Sequence, residues 1–346
     1  MQSEEKEELY EHYKFTVDRG QELMRMDKYL LNLIQNTSRS RIQYAAKADC
    51  ILVNGVPEKQ NYKVKPGDEI AILMPSPPRD IEIIAENIPL EIPYEDEDLI
   101  IINKPPGLVV HPAYGNYTGT LVNALTYYFQ GQITKTGEPV RPLLVHRIDK
   151  NTSGIMIVAK NEEAQMKIAN EFFNHTIARK YWALVWGDFE EEEGTINAKV
   201  GRNLKDRLVM TTFSEDSEHG KHAITHWKVL ERFGYVTLIE CQLETGRTHQ
   251  IRIHLKSIGH PLFNDEIYGG DQILKGTTFT KYKQFVNNCF ELIPRHALHA
   301  KQLGLTHPIT GEKLFFDSNL PDDFDAVLKK WRHYVKYKGT PTDDGL

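Results

Sequence analysis

Prolines at 75, 77 and 78, in Met74-Pro-Ser-Pro-Pro-Arg79, constrain this chain more than any other feature. Proline fixes φ and withholds a backbone donor, so neither a helix nor a central strand runs through such a segment, and it reads as a stiff, extended spacer. The chain must therefore divide, and each side must bury a core of its own. With 346 residues, 40% hydrophobic and 26% charged, there is enough apolar material for two domains. The boundaries expected are a disordered acidic tail over 1–13, a small domain over 14–76, a linker over 77–92, a large domain over 93–330 and a C-terminal tail over 331–346.

A net charge of −6 argues against a nucleic-acid binder only if charge is spread evenly. It is not. Acid gathers in Glu4 to Glu11, Glu95 to Asp98, Glu190 to Glu193 and Asp322 to Asp325, whereas Lys14 to Arg79 holds eleven Lys and Arg against seven Asp and Glu. The whole-chain sign hides a basic module. The longest apolar runs, such as Leu99 to Ile102, are far shorter than a membrane span, and the Glu-rich N-terminus lacks the basic start and apolar middle of a signal peptide. Cys50, Cys241 and Cys289 show no paired spacing, which argues against a disulfide framework or a cysteine-rich zinc site. A cytoplasmic protein with no membrane contact is expected.

In the basic module, two short helices are expected, the first carrying Leu30, Leu33 and Ile34 and the second following Ser38 as N-cap. Strands are expected over Ile51 to Val56 and Asp68 to Leu73, beside the turn signals Asn54-Gly55 and Pro66-Gly67. The large domain reads as strands at 99–102, 155–159, 180–186, 223–230 and 235–243, with helices at 121–129, 162–173 and 250–257. Short turns such as Glu231-Arg-Phe-Gly234 imply antiparallel pairing, and helices do not alternate regularly with strands. The fold class is α+β, a largely antiparallel mixed sheet preceded by a small α/β domain.

Two polar clusters could carry chemistry. His146-Arg-Ile-Asp-Lys-Asn-Thr-Ser-Gly154 lies between two apolar runs, and packing alone seldom asks for so many hydrogen-bonding residues there. Its bland reading is a turn in which Asp149 takes backbone N–H bonds from Asn151 to Ser153 or pairs with Arg147. The second cluster, Glu244-Thr-Gly-Arg-Thr-His-Gln-Ile-Arg-Ile-His-Leu255, suggests a helix capped by Thr248. Arg247 and Arg252 then stand near the helix start against the macrodipole, which calls for an acidic partner or a phosphate.

Val145 to Lys160, with its pattern H-R-I-D-x-x-T-S-G, resembles the active-site motif of the RluA/RluD-type pseudouridine synthases. The resemblance continues through Arg179-Lys-Tyr-Trp-Ala, Thr245-Gly-Arg-Thr-His-Gln-Ile-Arg252 and Arg295-His-Ala-Leu-His-Ala300, and covers essentially residues 90–325. The basic module resembles an S4 RNA-binding domain, carried by Arg25-Met-Asp-Lys-Tyr-Leu30, Ser38-Arg-Ser-Arg41, Val53-Asn-Gly55 and Pro66-Gly-Asp68, with Asp49 where that pattern usually has glycine.

The resemblance implies conversion of uridine to pseudouridine: the bond from N1 to C1′ breaks, uracil turns in its pocket and C5 rejoins C1′. Nothing is exchanged with another molecule, so no cofactor and no metal are expected. By the resemblance Asp149 is the carboxylate beside C1′, Arg252 favours its charged form, and Tyr181 stacks on the uracil near C5. His146, Arg147, Arg247 and Ile251 are the expected substrate contacts. In an extended segment Arg147 shares a face with Asp149, and its expected role is to help displace the base from its stack. The S4 resemblance points to Arg25, Lys28, Ser38, Arg39, Arg41 and Asn54 as RNA contacts. His219, His222 and His226 read as solvent-facing, and His249 and His254 as hydrogen-bonding residues on different faces. The expected partner is RNA, large-subunit ribosomal RNA before transfer RNA, and the expected state is a monomer. The rivals are a non-catalytic S4-type RNA-binding protein and a hydrolytic glycosidase, the latter lacking a second carboxylate in these motifs.

Overall fold

A computed structural model describes residues 10–34, 37–47, 49–74, 83–112, 116–204 and 209–337. The proline spacer at 75–78 lies outside the described residues. The chain forms two compact units that divide between Glu82 and Ile83.

The first unit contains β1 (Tyr10–Thr16), β2 (Met24–Arg25), α1 (Met26–Leu33), α2 (Arg39–Lys47), β3 (Ile51–Val53), β4 (Val56–Pro57), β5 (Lys63–Val64) and β6 (Glu69–Met74). Its main sheet runs β1-β6-β3-β4, antiparallel throughout, and β2 pairs with β5. Met26, Leu30, Ile42, Ile51 and Ile70 are among the residues that make its core. Asn54 and Gly55, at φ 52° and 81°, close the β3–β4 hairpin with the left-handed pair that such a turn favours. Asp49 takes φ 55°, the same backbone a glycine would supply there. Two expectations need correction. Residues 10–13 are not a tail: Tyr10 to Thr16 pair with Met74 to Glu69, so the hydrogen-bond ladder to β6 overrides their acidic setting. A strand, not a helix, therefore opens the module.

The second unit follows as β7 (Glu91–Glu95), β8 (Leu99–Lys104), α3 (Leu121–Tyr128), β9 (Leu143–Leu144), β10 (Ser153–Ala159), α4 (Glu162–Phe173), β11 (Ala178–Trp186), β12 (Glu193–Asn197), β13 (Lys199–Arg202), β14 (Met210–Phe213), β15 (Ile224–Arg232) and β16 (Val236–Leu243). It ends with α5 (Gln250–Ser257), α6 (Thr280–Leu292), β17 (Leu298–Thr306), β18 (Lys313–Asp317) and α7 (Asp322–Tyr337). One large sheet runs β12-β15-β16-β11-β17-β10-β8-β7, with β18 on β17 and β9 on β10. Every pairing in it is antiparallel except β10 with β17.

Strand alternation loads both faces of this sheet. From β11, Tyr181, Ala183 and Val185 enter a core shared with Leu121 and Leu125 of α3 and Ile251 and Leu255 of α5. Leu184 and Trp186 point the other way, into a core with Val286 of α6 and Trp331 of α7. From β10, Met156 and Val158 join the first core, while Ile155 and Ile157 meet Ile168 of α4 in a third. At Gly154, φ is 112° and an added Cβ would lie 2.2 Å from the Ala300 carbonyl oxygen. Only glycine lets β10 approach β17 so closely at the point where the chain leaves the polar cluster. At the C-terminus, helix α7 continues through residues 331–337, which were expected as tail, because Trp331 anchors it in the core. The linker ends earlier than expected too, since β7 already begins at Glu91.

Candidate active site

Asp149 sits in the loop that enters β10, and that loop is held from beneath by buried cations. Lys104, fully buried, donates from Nζ to the carbonyls of Pro105, Leu108 and Lys150 at 2.8, 3.0 and 3.0 Å. Burial, aided by the charge of Arg295 and opposed by that of Asp149, draws the Lys104 ammonium down to a pKa of about 7. Arg295, clamped by Asp323 at 2.6 and 2.9 Å, donates to the Asn151 carbonyl at 2.9 Å. Thr152 meets His296 and Ser153 meets His299, at 3.0 and 2.9 Å. This framework accounts for the density of polar residues between two apolar runs. With the backbone carbonyls satisfied below and Ile148 buried in the core, the Asp149 side chain is left for the cleft.

Its carboxylate goes to Arg252 of α5, Nη1 to Oδ2 at 3.1 Å, and not to the loop N–H groups or Arg147 as the bland reading has it. Arg252 is itself buried. Its Nε and Nη2 donate to the two oxygens of buried Asp265, both at 2.8 Å, and its guanidinium lies 4.8 Å from the Tyr268 ring centre. The acidic partner that Arg252 requires is thus a pair of carboxylates. Thr248 does not cap α5. The N-cap is His249, in a left-handed conformation at φ 56°. Gln250 braces the turn instead, its Oε1 accepting from Thr245 Oγ1 and the Arg247 N–H at 2.8 and 2.9 Å, and its Nε2 donating to the Ile224 carbonyl at 2.9 Å.

Tyr181, only 7% exposed, comes from β11 and shares a narrow cleft of about 90 Å³ with Asp149, Arg147, Arg247, Ile251 and Arg252. Burial raises the phenol's pKa above its ordinary value, the nearby charge of Asp149 adds to this and Arg179 opposes it. Tyr181 is therefore a protonated ring at neutral pH, suited to stacking and hydrogen-bond donation. Arg179 lines the same cleft, its guanidinium 5.0 Å from the Phe172 ring centre and its Nη2 donating to the Glu244 carbonyl at 3.3 Å. A wider cavity of about 650 Å³ shares Asp149, His249 and Arg252 as its wall.

The arrangement brings together Asp149, Tyr181, Arg252, Arg147, Arg247 and Ile251. Arg147 is exposed, and exposed Arg247 donates from Nε to the His222 carbonyl at 3.0 Å. His146 is not with them. One residue before Arg147, its ring stacks on Phe172, its Nε2 accepts the Ile157 N–H at 3.0 Å, and burial, with the charge of Arg179, holds its pKa down to about 3. The alternation that turns Arg147 and Asp149 toward the cleft turns His146 inward against Phe172 and β10, where it is half-buried, neutral and structural.

In the first unit, Arg25 and Arg39 both reach buried Asp27 at 3.0 Å, joined by Gln43 at 2.8 Å, while keeping 41% and 43% of their side chains exposed. Burial opposes ionisation of Asp27, but these bonds outweigh it and bring its pKa to about 2. Lys28 and Ser38 are exposed, and the Arg41 side chain lies outside the described residues. Asn54 uses its side chain on Asp68 and the Glu69 N–H, both at 2.9 Å, so it shapes the hairpin.

His219 and His222 are exposed and His226 is half-buried; His254 hydrogen-bonds Thr225 and the Ala198 carbonyl. Among the described residues Asp96, Asp98 and His307 approach within 4.8 Å of one another, but Tyr94, Asn161 and the Asp98 and Leu99 N–H groups already satisfy their carboxylates. Sequence reasoning missed Lys104, Asp265 and Tyr268, and gave Arg295 a place in a motif but no role. A buried lysine in Asn103-Lys-Pro-Pro-Gly107 and an Arg-His pair after Pro294 are weak signals; Asp265 and Tyr268 lie in a loop with no periodicity to flag them.

Comparison with known proteins identifies the family. A family model described as RNA pseudouridylate synthase matches residues 98–257, and one described as S4 domain matches residues 24–70. The chain is 44% identical over 319 residues to an "uncharacterized RNA pseudouridine synthase" of Chlorobaculum parvum, covering 91% of this chain and 96% of that one. It is 42% identical over 312 residues to the ribosomal large subunit pseudouridine synthase D of Nitrosomonas europaea, covering 90% and 85%. Among solved structures, human RNA pseudouridylate synthase domain containing 4 matches with a TM-score of 0.53 at 25% identity, over 70% of this chain and 92% of that one. On identities this high over nine-tenths of its length, the chain belongs to the RluA/RluD-type RNA pseudouridine synthases and carries an S4 domain ahead of the catalytic fold.

Proposed function

We propose that this enzyme isomerises uridines of large-subunit ribosomal RNA, with Asp149 as its catalytic carboxylate. The observation that carries the reading is the 3.1 Å contact between Asp149 and a buried Arg252 in a cleft walled by Tyr181. In the isomerisation the C1′–N1 bond breaks, a C1′–C5 bond forms, and one proton leaves C5 while N1 gains one. A carboxylate beside C1′ serves either by attacking it or by assisting departure of uracil. Arg252 places a positive charge against that carboxylate, and Tyr181 offers a buried ring on which a flipped uracil stacks. Because flipping costs roughly a few kcal/mol, loop and bulge uridines are the favoured targets. Relatives named for the ribosomal large subunit favour that RNA over transfer RNA. On this reading the S4 domain supplies cationic contacts through Arg25, Lys28 and Arg39, and the protein acts as a monomer without metal or cofactor.

The test is a map of pseudouridines in ribosomal and transfer RNA from cells with the wild-type protein, without it, and with Asp149→Ala. Sites in large-subunit RNA should vanish in both mutant maps. Three identical maps would sink the assignment, and losses confined to transfer RNA would redirect the substrate.

A further inference from the structure

Among the described residues, His249 is the one basic side chain besides Arg252 within 4.0 Å of the Asp149 carboxylate, and the proposed chemistry leaves it without a task. Its backbone is left-handed, φ 56° and ψ 21°, a region that residues with a Cβ enter reluctantly. That conformation turns the imidazole toward Asp149, with Nε2 3.9 Å from Oδ2. The other nitrogen, Nδ1, lies 2.7 Å from the Tyr268 hydroxyl.

The tautomer follows from the partners. The Tyr268 oxygen accepts the Met210 N–H at 3.2 Å, and its own proton has Nδ1 as acceptor. Nδ1 then carries no hydrogen, and the ring proton is on Nε2, facing the carboxylate. The opposite tautomer would leave the tyrosine proton unused and set a nitrogen lone pair against a carboxylate oxygen, two acceptors face to face. Burial also lowers the His249 pKa, with Arg252 and Arg147 in the same direction and Asp149 and Asp265 opposing, so the ring is neutral near pH 7. Tyr268 is firmly held: its N–H donates to Asp265 at 3.2 Å and its ring lies under Arg252.

A separation of 3.9 Å is too long for a direct hydrogen bond, yet an oxygen about 2.8 Å from each atom fits between them. That oxygen must accept from an N–H and donate to a carboxylate. Among the groups of an RNA strand a hydroxyl does both, taking the place a water would bridge; a carbonyl or phosphate oxygen only accepts, and an imide N–H only donates. In an internal nucleotide the 3′ and 5′ oxygens are esterified, so the 2′-hydroxyl is the one free hydroxyl, and it stands on the carbon next to C1′.

We infer that His249 is a further substrate-contacting residue: its Nε2–H donates to the 2′-hydroxyl of the target nucleotide while Asp149 accepts that hydroxyl's proton in a hydrogen bond. The inference rests on the reading of Asp149 as the carboxylate beside C1′. It makes the pair the place where the enzyme tells a ribonucleotide from a deoxyribonucleotide, since a site built to hydrogen-bond a hydroxyl is left with unpaired polar groups when the hydroxyl is missing.

The test uses product strands, which do not react further: RNA carrying pseudouridine or 2′-deoxypseudouridine at a mapped target, titrated against wild type, His249→Gly, His249→Asn and Tyr268→Phe. Glycine and asparagine both tolerate the left-handed backbone, and thermal unfolding checks the fold. Wild type should bind the ribo strand roughly tenfold tighter. In both His249 variants that ratio should fall toward one while affinity for the deoxy strand holds, and Tyr268→Phe should lie between. A wild type that does not discriminate, an unchanged ratio in the variants, or an equal loss of affinity for both strands overturns the inference. If instead no target is found to map, it is the proposed function that has failed.

Discussion

Arg252 serves two carboxylates from one guanidinium, and the division is unequal: Nε and Nη2 go to Asp265, and Nη1 alone to Asp149. The bidentate pair fixes the plane of the guanidinium, and so fixes where Nη1 points. Asp265→Asn keeps the shape but presents an amide to the cation. We expect turnover on a short RNA to fall about 100-fold, as a misplaced catalytic contact does, with RNA affinity nearly kept; single-turnover rates at saturating RNA read this, and an unchanged rate would show Asp265 to be dispensable. His146 yields a prediction of a different kind. Its pKa is about 3 in the fold against 6.5 free, so between those values the unfolded chain binds more protons. Stability from this group is intact above pH 6.5 and is lost as pH falls toward 3. His146→Gln keeps an acceptor for the Ile157 N–H and removes the titration. It should be less stable by about 1 kcal/mol at pH 8 and show a shallower loss between pH 6.5 and 3 in denaturant melts. At this scale the meeting of Asp149, Tyr181 and Arg252 was expected only through the family resemblance of the three motifs that carry them, whereas the inward turn of His146 depended on Phe172 and β10, which no spacing reveals. Asp265 was invisible because its partner is set by the fold.

The strands flanking the site, β8, β10, β11, β15 and β16, were legible from their apolar runs and turn signals, since each is buried on both faces or alternates cleanly. Helices α6 and α7 and strand β17 were not read. Strand β17 carries Lys301, Gln302 and Gly304 inside a buried run, and its neighbours β10 and β11 supply the ladder that its own propensity does not. In α7 the helical pattern is present at Phe324, Val327, Leu328 and Trp331, spaced i, i+3, i+4, i+7, but the acidic opening Asp322-Asp-Phe-Asp325 gives it a surface appearance. Those same acids sit in the first turn, where the macrodipole favours them. Strand β1 was hidden in the same way behind the acidic run that precedes it. If α7 is part of the core through Trp331, Trp331→Ala should destabilise the protein by about 3–5 kcal/mol, seen as a lower denaturation midpoint. A change within about 0.5 kcal/mol would fit a surface position and return this segment to the tail first expected.

Among the described residues of the whole molecule the hydrophobic cores sort by unit: the core of the first unit draws on residues 15–72, and every other core cluster on residues from 90 onward. Each unit therefore has the means to fold alone, which makes a division of labour testable. Removing residues 1–82 leaves Asp149, Tyr181 and Arg252 with all of their described partners, and takes away the exposed side chains of Arg25, Lys28 and Arg39. Binding that depends on phosphate contacts releases counterions, and its logarithm falls with the logarithm of salt concentration by roughly 0.7–0.9 per contact. If those three cations meet phosphates, the truncated enzyme should bind ribosomal RNA more weakly at low salt, with a slope smaller by about 2. Its turnover on a short, saturating strand should stay close to that of the full chain, because saturation makes up for lost affinity. Titrations at several salt concentrations, paired with single-turnover assays, separate the two quantities. Loss of slope without loss of turnover assigns RNA capture to the first unit; loss of turnover with slope unchanged would mean that this unit supports the catalytic fold and that its arginines serve Asp27 alone.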